Sequence, residues 1–100
     1  MPAFDRRVVT IVPGHPRIYD ASEWRDAIVV LARGRIELEC VGGGRYGFSR
    51  GAVLWLQRLP LRALHSRGRD PAVLIAIRRR RDQNGPESSP SSSVSRTFWE

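Results

Sequence analysis

The segment Arg35–Cys40 has the strictest pattern in the chain, because charged and apolar residues alternate in it one by one. Successive side chains of an extended chain point to opposite faces, so this alternation predicts a strand with one dry and one wet face. Its apolar members are Ile36, Leu38 and Cys40. Gly42, Gly43 and Gly44 follow, and glycines supply the positive φ angles of a tight turn. The returning segment 45–48 completes a predicted β-hairpin.

Further short apolar runs predict the remaining strands, and turn signals separate them about every ten residues, as in small β-sandwiches and barrels. These runs are 8–12, 26–32, 52–56, 61–65 and 72–77. The run 26–32 carries apolar residues at consecutive positions, which predicts a strand buried on both faces, with a short helix as the alternative. The run 52–56 predicts another buried strand, and 15–22 predicts a loop. The pattern predicts an all-β domain, a small barrel or sandwich, over residues 6–80.

The last part of the chain has a different composition. Residues 81–100 are rich in serine and proline and contain few large apolar side chains. Such a segment cannot bury enough surface to offset its ordering entropy, so it is predicted to be a disordered tail. Phe98 and Trp99 near its end are either a short docking motif or a terminus without a role.

The charge is strongly positive, with a formal net charge of +7 and 17 basic residues, all of them arginine. The arginines are spread through the chain, which favours a general coding bias over selection for one anion site. One cluster stands out, formed by Arg78, Arg79, Arg80 and Arg81. Such a run can contact phosphates, so nucleic acid is a possible partner. No sequence motif of a nucleic-acid-binding fold accompanies it, and this partner is not favoured.

Cysteine usage and hydropathy bear on the compartment. Cys40 is the single cysteine, so no internal disulfide is available and a reducing compartment is predicted. The first ten residues lack the apolar run of a signal peptide, and the run 27–32 is too short to span a bilayer. The sequence predicts a cytoplasmic protein without a membrane partner. Because a domain this small buries a modest core, a homodimer is also expected.

The order of these elements resembles the cupin superfamily over residues 24–77. A strand ending at Gly34 leads into the alternating strand, the glycine hairpin and the segment 46–56, with Gly51-Ala52 at the position of the family's Gly-Asp step. Pro60 and the later segment Gly68-Arg69-Asp70-Pro71 are similar to the elements that close such a fold. The resemblance implies a small jelly-roll barrel or sandwich with a ligand site inside it.

The same resemblance implies that metal chemistry has been lost. In the family two histidines and a glutamate precede a glycine that corresponds to Gly34, and a further histidine lies near the position of Arg62. The glutamate position falls on Ala27, and the two histidine positions fall on Ala21 and Glu23, or on Asp20 and Ser22. His15, His65 and Cys40 offer no justified ligand set of their own. The prediction is a protein with no metal and no cofactor.

Arg62 is the sharpest candidate for ligand binding. If the alternation in 61–65 holds, Arg62 shares a face with Leu64 and points into the domain, where it needs a carboxylate or an anionic ligand. Glu37 and Glu23 are the internal partners that the sequence offers. If the register slips by one residue, Arg62 faces solvent instead.

Four other residues complete the predicted ligand site: Trp55, Glu23, Tyr46 and His65. No catalytic residue is assigned, because Ser66 and His65 are neighbours on one strand and point to opposite faces. The sequence also offers no recognisable histidine–carboxylate pair. The predicted function is therefore a metal-free binding or regulatory module for a small anionic or polar molecule or a protein partner. A metal-independent isomerase or cyclase is the first alternative, and polyanion binding through the arginine run is the second.

Overall fold

The computed structural model describes residues 3–80, and it is built from eight β-strands. The strands are β1 Phe4–Ile11, β2 Arg17–Ile18, β3 Ala27–Arg33, β4 Arg35–Cys40, β5 Arg45–Ser49, β6 Val53–Leu54, β7 Leu61–Ser66 and β8 Ala72–Arg79. Two 3₁₀ helices, Ala21–Trp24 and Leu56–Arg58, interrupt them. The all-β prediction is confirmed.

The strands form two four-stranded antiparallel sheets. The first sheet has the order β1-β8-β3-β6, and the second has the order β2-β7-β4-β5. No strand ladder joins the two sheets within residues 3–80, so the described domain is a two-layer sandwich and not a closed barrel. The chain crosses from the first sheet to the second at Gly34, a single glycine between β3 and β4 with a φ of 76°.

The core lies between the inner faces of the two sheets. Val29, Leu31 and Leu74 contribute from the first sheet, and Ile36, Leu38 and Leu64 contribute from the second sheet. Trp24 is fully buried and belongs to the same cluster, which places the first 3₁₀ helix against the sandwich. Burial of these side chains is the main force that holds the two layers together.

The hairpin prediction is the most accurate part of the sequence analysis. β4 has the predicted bounds, Ile36 and Leu38 are buried, and β5 begins at Arg45 as predicted. The prediction for 26–32 is right in type but wrong in burial. Ala27, Val29 and Leu31 of β3 are buried, whereas Ile28 is exposed and Val30 is half-buried. The outer face of the first sheet meets no third layer within the described residues.

Two other segments depart from prediction. The run 52–56 contains only the two-residue strand β6, and Val53 and Trp55 are exposed. The chain turns into the second 3₁₀ helix there, and Leu56 is the residue of that helix that enters the core. The predicted loop 15–22 contains the short strand β2 and most of the first 3₁₀ helix. β1 begins earlier and β8 ends later than predicted, because the two strands pair from Phe4 and Arg79 onward. Asp5 in this extension contacts Arg78 and Arg80.

Candidate functional site

An apolar groove opens beside the β4–β5 hairpin. Tyr46 and Phe48 of β5 pair with Leu38 and Ile36 of β4, and directly paired residues share one face of a sheet. Because Leu38 and Ile36 are fully buried, Tyr46 and Phe48 must also lie on the inner face. β5 is an edge strand, and its inner face is incompletely covered: Tyr46 is 58% exposed and Phe48 is half-buried.

The groove has a volume of about 500 Å³, which is within the range of sites for small molecules. Its walls are Leu38, Cys40, Gly42, Gly44, Tyr46, Phe48, Leu59 and Pro60. The side chains among them are apolar apart from the Tyr46 hydroxyl and the Cys40 thiol. A Cβ atom on Gly44 would lie 3.4 Å from the Tyr46 hydroxyl oxygen, so the glycine leaves space beside that ring.

Cys40 was predicted as a small core residue, and this is correct only in part. It lies on the inner side of β4 and packs against the core, but it is half-buried and borders the groove. The pairing between β4 and β7 shifts register between Glu39 and Cys40, which is the feature of a β-bulge. A bulge at the end of a strand changes the direction of the following side chain, and the alternation in the sequence does not reveal it.

Glu23 lies apart from the groove. The side chain of Glu23 is buried and accepts hydrogen bonds from Arg7, at 3.0 Å, and from Arg17. The Arg7 guanidinium also lies over the Trp24 ring, 5.0 Å from its centroid. The carboxylate therefore has cationic partners within the domain, and paired burial is how a charged group avoids its desolvation penalty. Glu23 was predicted to bind a ligand, and its observed contacts are structural.

Arg62 does not point into the domain, so the inward placement is wrong. Its side chain is 59% exposed on the outer face of the second sheet, where its Nε atom lies 3.9 Å from a Glu39 carboxylate oxygen. The alternation in β7 fails because Ala63 and Leu64 are consecutive buried residues. The register shift against β4 lies at the same place. This outcome is the solvent-facing alternative that a register slip predicts.

Glu39 is the centre of a charged network on that outer face. His65 Nε2 and Glu39 Oε1 are 2.9 Å apart, and an Arg45 nitrogen lies 3.8 Å from Glu39 Oε1. The neighbouring carboxylate, Glu37, lies 2.9 Å from Arg45 and 3.7 Å from Arg67. The hydrogen bond from His65 is the main reason that the pKa of Glu39 is lowered, and Arg45 and Arg62 add to the effect.

The sequence did not reveal a histidine–carboxylate pair, and the structure brings one together. His65 pairs in register with Glu37 and bonds diagonally to Glu39 across β7 and β4. The charged positions of β4 predicted a solvent-facing side, but the sequence did not show that β7 is the strand beside them. His65 and Arg62, two of the five predicted ligand residues, thus meet at Glu39, whereas Tyr46 lies in the groove.

Trp55 and the arginine run occupy other places. Trp55 is exposed, and the Arg58 guanidinium lies 5.3 Å from its ring centroid. Arg78 and Arg80 contact Asp5 at 3.6 and 2.9 Å, whereas Arg79 is exposed. Arg81 lies outside the described residues, as do the tail 81–100 predicted to be disordered and its Phe98 and Trp99.

No group of three or more His, Cys, Asp or Glu side chains within residues 3–80 is arranged to hold a metal ion. In the same part of the chain, no helix has the length and apolar character required to cross a membrane. The absence of a cofactor and the cytoplasmic location stay predictions.

Comparison with known proteins gives a likeness of fold. No protein-family model and no curated protein matches the chain. Among solved structures, the chain is similar to protein NMB1881 from Neisseria meningitidis, with a TM-score of 0.56 and 13% sequence identity. The match covers 80% of this chain and 83% of that one. At this identity the likeness concerns the fold alone.

Proposed function

We propose that this chain is a cupin-like, non-catalytic binding module that holds a small, mainly apolar molecule in the groove beside the β4–β5 hairpin. The observation that carries this proposal is the position of Tyr46 and Phe48. Both side chains lie on the inner face of an edge strand, where they extend the core surface into an open cleft. Concave apolar sites with a few polar groups are the usual form of a small-molecule site.

The pairing of the strands supports a jelly-roll fold of the cupin type. β1 pairs with β8, β2 with β7, β3 with β6 and β4 with β5, so the pairs are nested from the outside of the sequence to its centre. An eight-stranded double sheet wound in this way is the architecture of jelly rolls, which include the cupins. The fold is compatible with many functions, so the groove and not the fold carries the functional argument.

The chemistry of the walls sets the kind of ligand. Arg62, the residue expected to attract an anion, lies on the outer face, and Glu23 is engaged by two arginines. Among residues 3–80, those that line the groove carry no charge. A ligand there gains most from burial of its own apolar surface against Leu59, Pro60 and the two aromatic rings. The Tyr46 hydroxyl offers one hydrogen-bonding group for orientation.

Cys40 gives a direct test, because it is the single cysteine and borders the groove. The rate at which Ellman's reagent modifies the thiol is measured while indole is added as a probe. Occupancy of the groove is expected to slow the reaction in a saturable way, by at least about threefold at an occupancy of about 70%. Tyr46→Ala should weaken the protection, whereas Ile18→Ala, on β2, should leave it unchanged. A thiol reactivity independent of indole and of a panel of small aromatic alcohols would contradict the proposal.

A metal-independent isomerase is the second candidate, and one observation favours it. His65 and Glu39 form a histidine–carboxylate pair, the arrangement used for general acid–base chemistry. The pair lies on the outer face of a sheet with three arginine side chains, and it is not part of the groove. Backbone amide shifts discriminate between the two functions. A ligand of the binding module perturbs Tyr46 and Gly44, whereas a substrate of the acid–base pair perturbs His65 and Glu39.

A further inference from the structure

One row of side chains across the outer face of the first sheet is apolar on all four of its strands. Val8 of β1 is paired with Ile75 of β8, Ile75 is paired with Val30 of β3, and Val30 is paired with Val53 of β6. These four side chains therefore form one row across the sheet. They alternate along their strands with buried core residues such as Val9 and Leu74, so they point away from the core.

A second row lies beside the first. Ile77 of β8 is paired with Ile28 of β3, and both side chains are exposed. On the other side of the first row, Val73 is half-buried on the same face. We name these seven side chains the valine–isoleucine face: Val8, Ile28, Val30, Val53, Val73, Ile75 and Ile77. Val53 is 65% exposed and Val8 is 47% exposed, so no layer within residues 3–80 covers them.

We propose that a second copy of this chain covers the valine–isoleucine face, so that two sandwiches pack sheet against sheet. This interface goes beyond the proposed ligand groove, which lies on the other sheet. Apolar sheet faces pack on one another about 10 Å apart, with their side chains interdigitated. Short β-branched side chains in register suit this packing. Phe4, which is paired with Arg79, lies at the end of the same face.

The size of the face agrees with a weak dimer. Three long strands spaced about 4.8 Å apart and about 26 Å long give roughly 400 Å² of flat area before side-chain relief is counted. A standard interface buries about 800 Å² on each partner. The sheet face, with Arg6, Arg33 and Arg79 included, thus supplies about half of that area, and the aliphatic parts of those arginines contribute to the contact. Interfaces at the low end of the size range are typical of weak association, so we expect dimerisation at high micromolar concentrations.

Charge distinguishes a second copy of the chain from an anionic occupant of the face. Arg6 stands in the second row, paired with Ile77, and Arg79 lies beyond that row. Arg33 is paired with Val73 at the other end of the face. Each chain has a formal net charge of +7, so two copies repel each other at low ionic strength. Salt screens this repulsion and strengthens a dimer held by apolar contacts. A complex with nucleic acid or an anionic membrane changes in the opposite direction, because salt weakens it.

Sedimentation velocity of the full chain tests the proposal over a concentration range from about one micromolar to about one millimolar. A monomer–dimer equilibrium is expected, with a tighter dissociation constant at about 0.5 M than at about 0.05 M sodium chloride. Val53→Arg and Val8→Arg should each raise that constant at least about tenfold, because each buries an unpaired charge. Both sites are exposed, so the variants should keep the wild-type circular dichroism and melting temperature at low concentration.

Ile18→Arg is the matched control, because Ile18 is 72% exposed on β2 of the second sheet and the substitution adds the same charge. The dissociation constant of its dimer should equal that of the wild type. A second control replaces Phe98 and Trp99 by serine in the full chain and should also leave the dimer intact. A chain that stays monomeric at high salt, or a dimer that survives Val53→Arg and Val8→Arg, overturns the proposal. Loss of the dimer only on substitution of Phe98 and Trp99 overturns it as well and assigns the contact to the tail.

Discussion

The two sheets have similar inner faces and opposite outer faces. The inner face of the first sheet is built from valine, leucine, isoleucine and alanine, and that of the second sheet mainly from leucine and isoleucine. The outer face of the first sheet is the valine–isoleucine face, whereas the outer face of the second sheet has Glu37 and Glu39 surrounded by arginines and His65. A strand that alternates strictly is suited to one dry and one wet face, and a continuously apolar strand is typical of burial on both. The difference indicates that, of the two outer faces, that of the first sheet is the one suited to a further apolar contact.

The first prediction separates the core from the valine–isoleucine face by comparing two positions of β8. Leu74 is fully buried, whereas Ile77 is partly exposed on the outer side. Leu74→Ala should lower the free energy of unfolding by about 2–5 kcal/mol, the cost of a cavity in a packed core. Ile77→Ala should cost about 1 kcal/mol. Urea unfolding at low protein concentration measures both values, and equal losses would mean that the outer face is already covered within one chain.

The second prediction concerns Gly34, where the chain passes from one sheet to the other. A Cβ atom there would lie 2.7 Å from the carbonyl oxygen of Pro71, and the φ of 76° disfavours any other residue. Gly34→Ala should therefore cost about 1–2 kcal/mol for the backbone conformation and about 1–3 kcal/mol more for the close contact.

A comparison with Gly14→Ala separates the cost of the backbone conformation from the cost of the close contact. Gly14 has a similar φ of 83°, but nothing lies within 4 Å of its added Cβ atom. In thermal unfolding, Gly34→Ala should lower the melting temperature clearly more than Gly14→Ala does. Equal losses would indicate that Pro71 moves away without cost and that the crossing between the sheets is loosely packed.

Much of the fold could be predicted because it depends on local patterns. The alternation in β4, the glycines after it and the apolar run of β8 each determine an element from neighbouring residues alone. β6 and the burial of β3 could not be predicted in this way. Whether Ile28 and Val30 are covered depends on what packs on the sheet, and that information lies outside the strand.

The candidate site was less predictable for a related reason. Tyr46, one of the predicted ligand residues, lies in the wall of the groove, and its role in binding stays a prediction. Arg62 was misplaced because a single register shift between β4 and β7 reversed its face. The contact between His65 and Glu39 joins residues on non-consecutive strands, β7 and β4. A sequence without aligned relatives does not reveal which strands are neighbours.

The third prediction weakens the charged face of the second sheet. Arg45 bridges the two carboxylates, at 2.9 Å from Glu37 and 3.8 Å from Glu39. Arg45→Met should lower the melting temperature slightly, because an exposed ion pair is worth about 0.2–1 kcal/mol. Arg69→Met, in the exposed turn before β8, removes the same charge and should change little. A large loss at Arg45 would mean that the charged face is buried in an assembly, contrary to the comparison of the two sheets.

The smallest expected effect is the pH dependence of the stability that the Glu39 carboxylate contributes. Its pKa lies below the ordinary value of 4.5, chiefly because His65 donates a hydrogen bond and secondarily because Arg45 is close. A folded-state pKa that is lowered stabilises the fold above the unfolded pKa, and this stabilisation is lost as the pH falls through the folded value. Glu39→Gln should therefore be less stable than wild type near pH 6, and the difference should narrow below about pH 4.5.

Carboxyl carbon shifts followed by NMR during an acid titration test the cause directly. His65→Ala should raise the pKa of Glu39 more than Arg45→Met does, because the hydrogen bond is the larger influence. Arg62→Met should have a smaller effect than either, since its guanidinium is 3.9 Å away and well exposed. The reverse order would mean that the arginines and not His65 hold the charge of Glu39. The arginines of the outer face would then act together on Glu39, and nothing would favour acid–base chemistry at the His65–Glu39 pair.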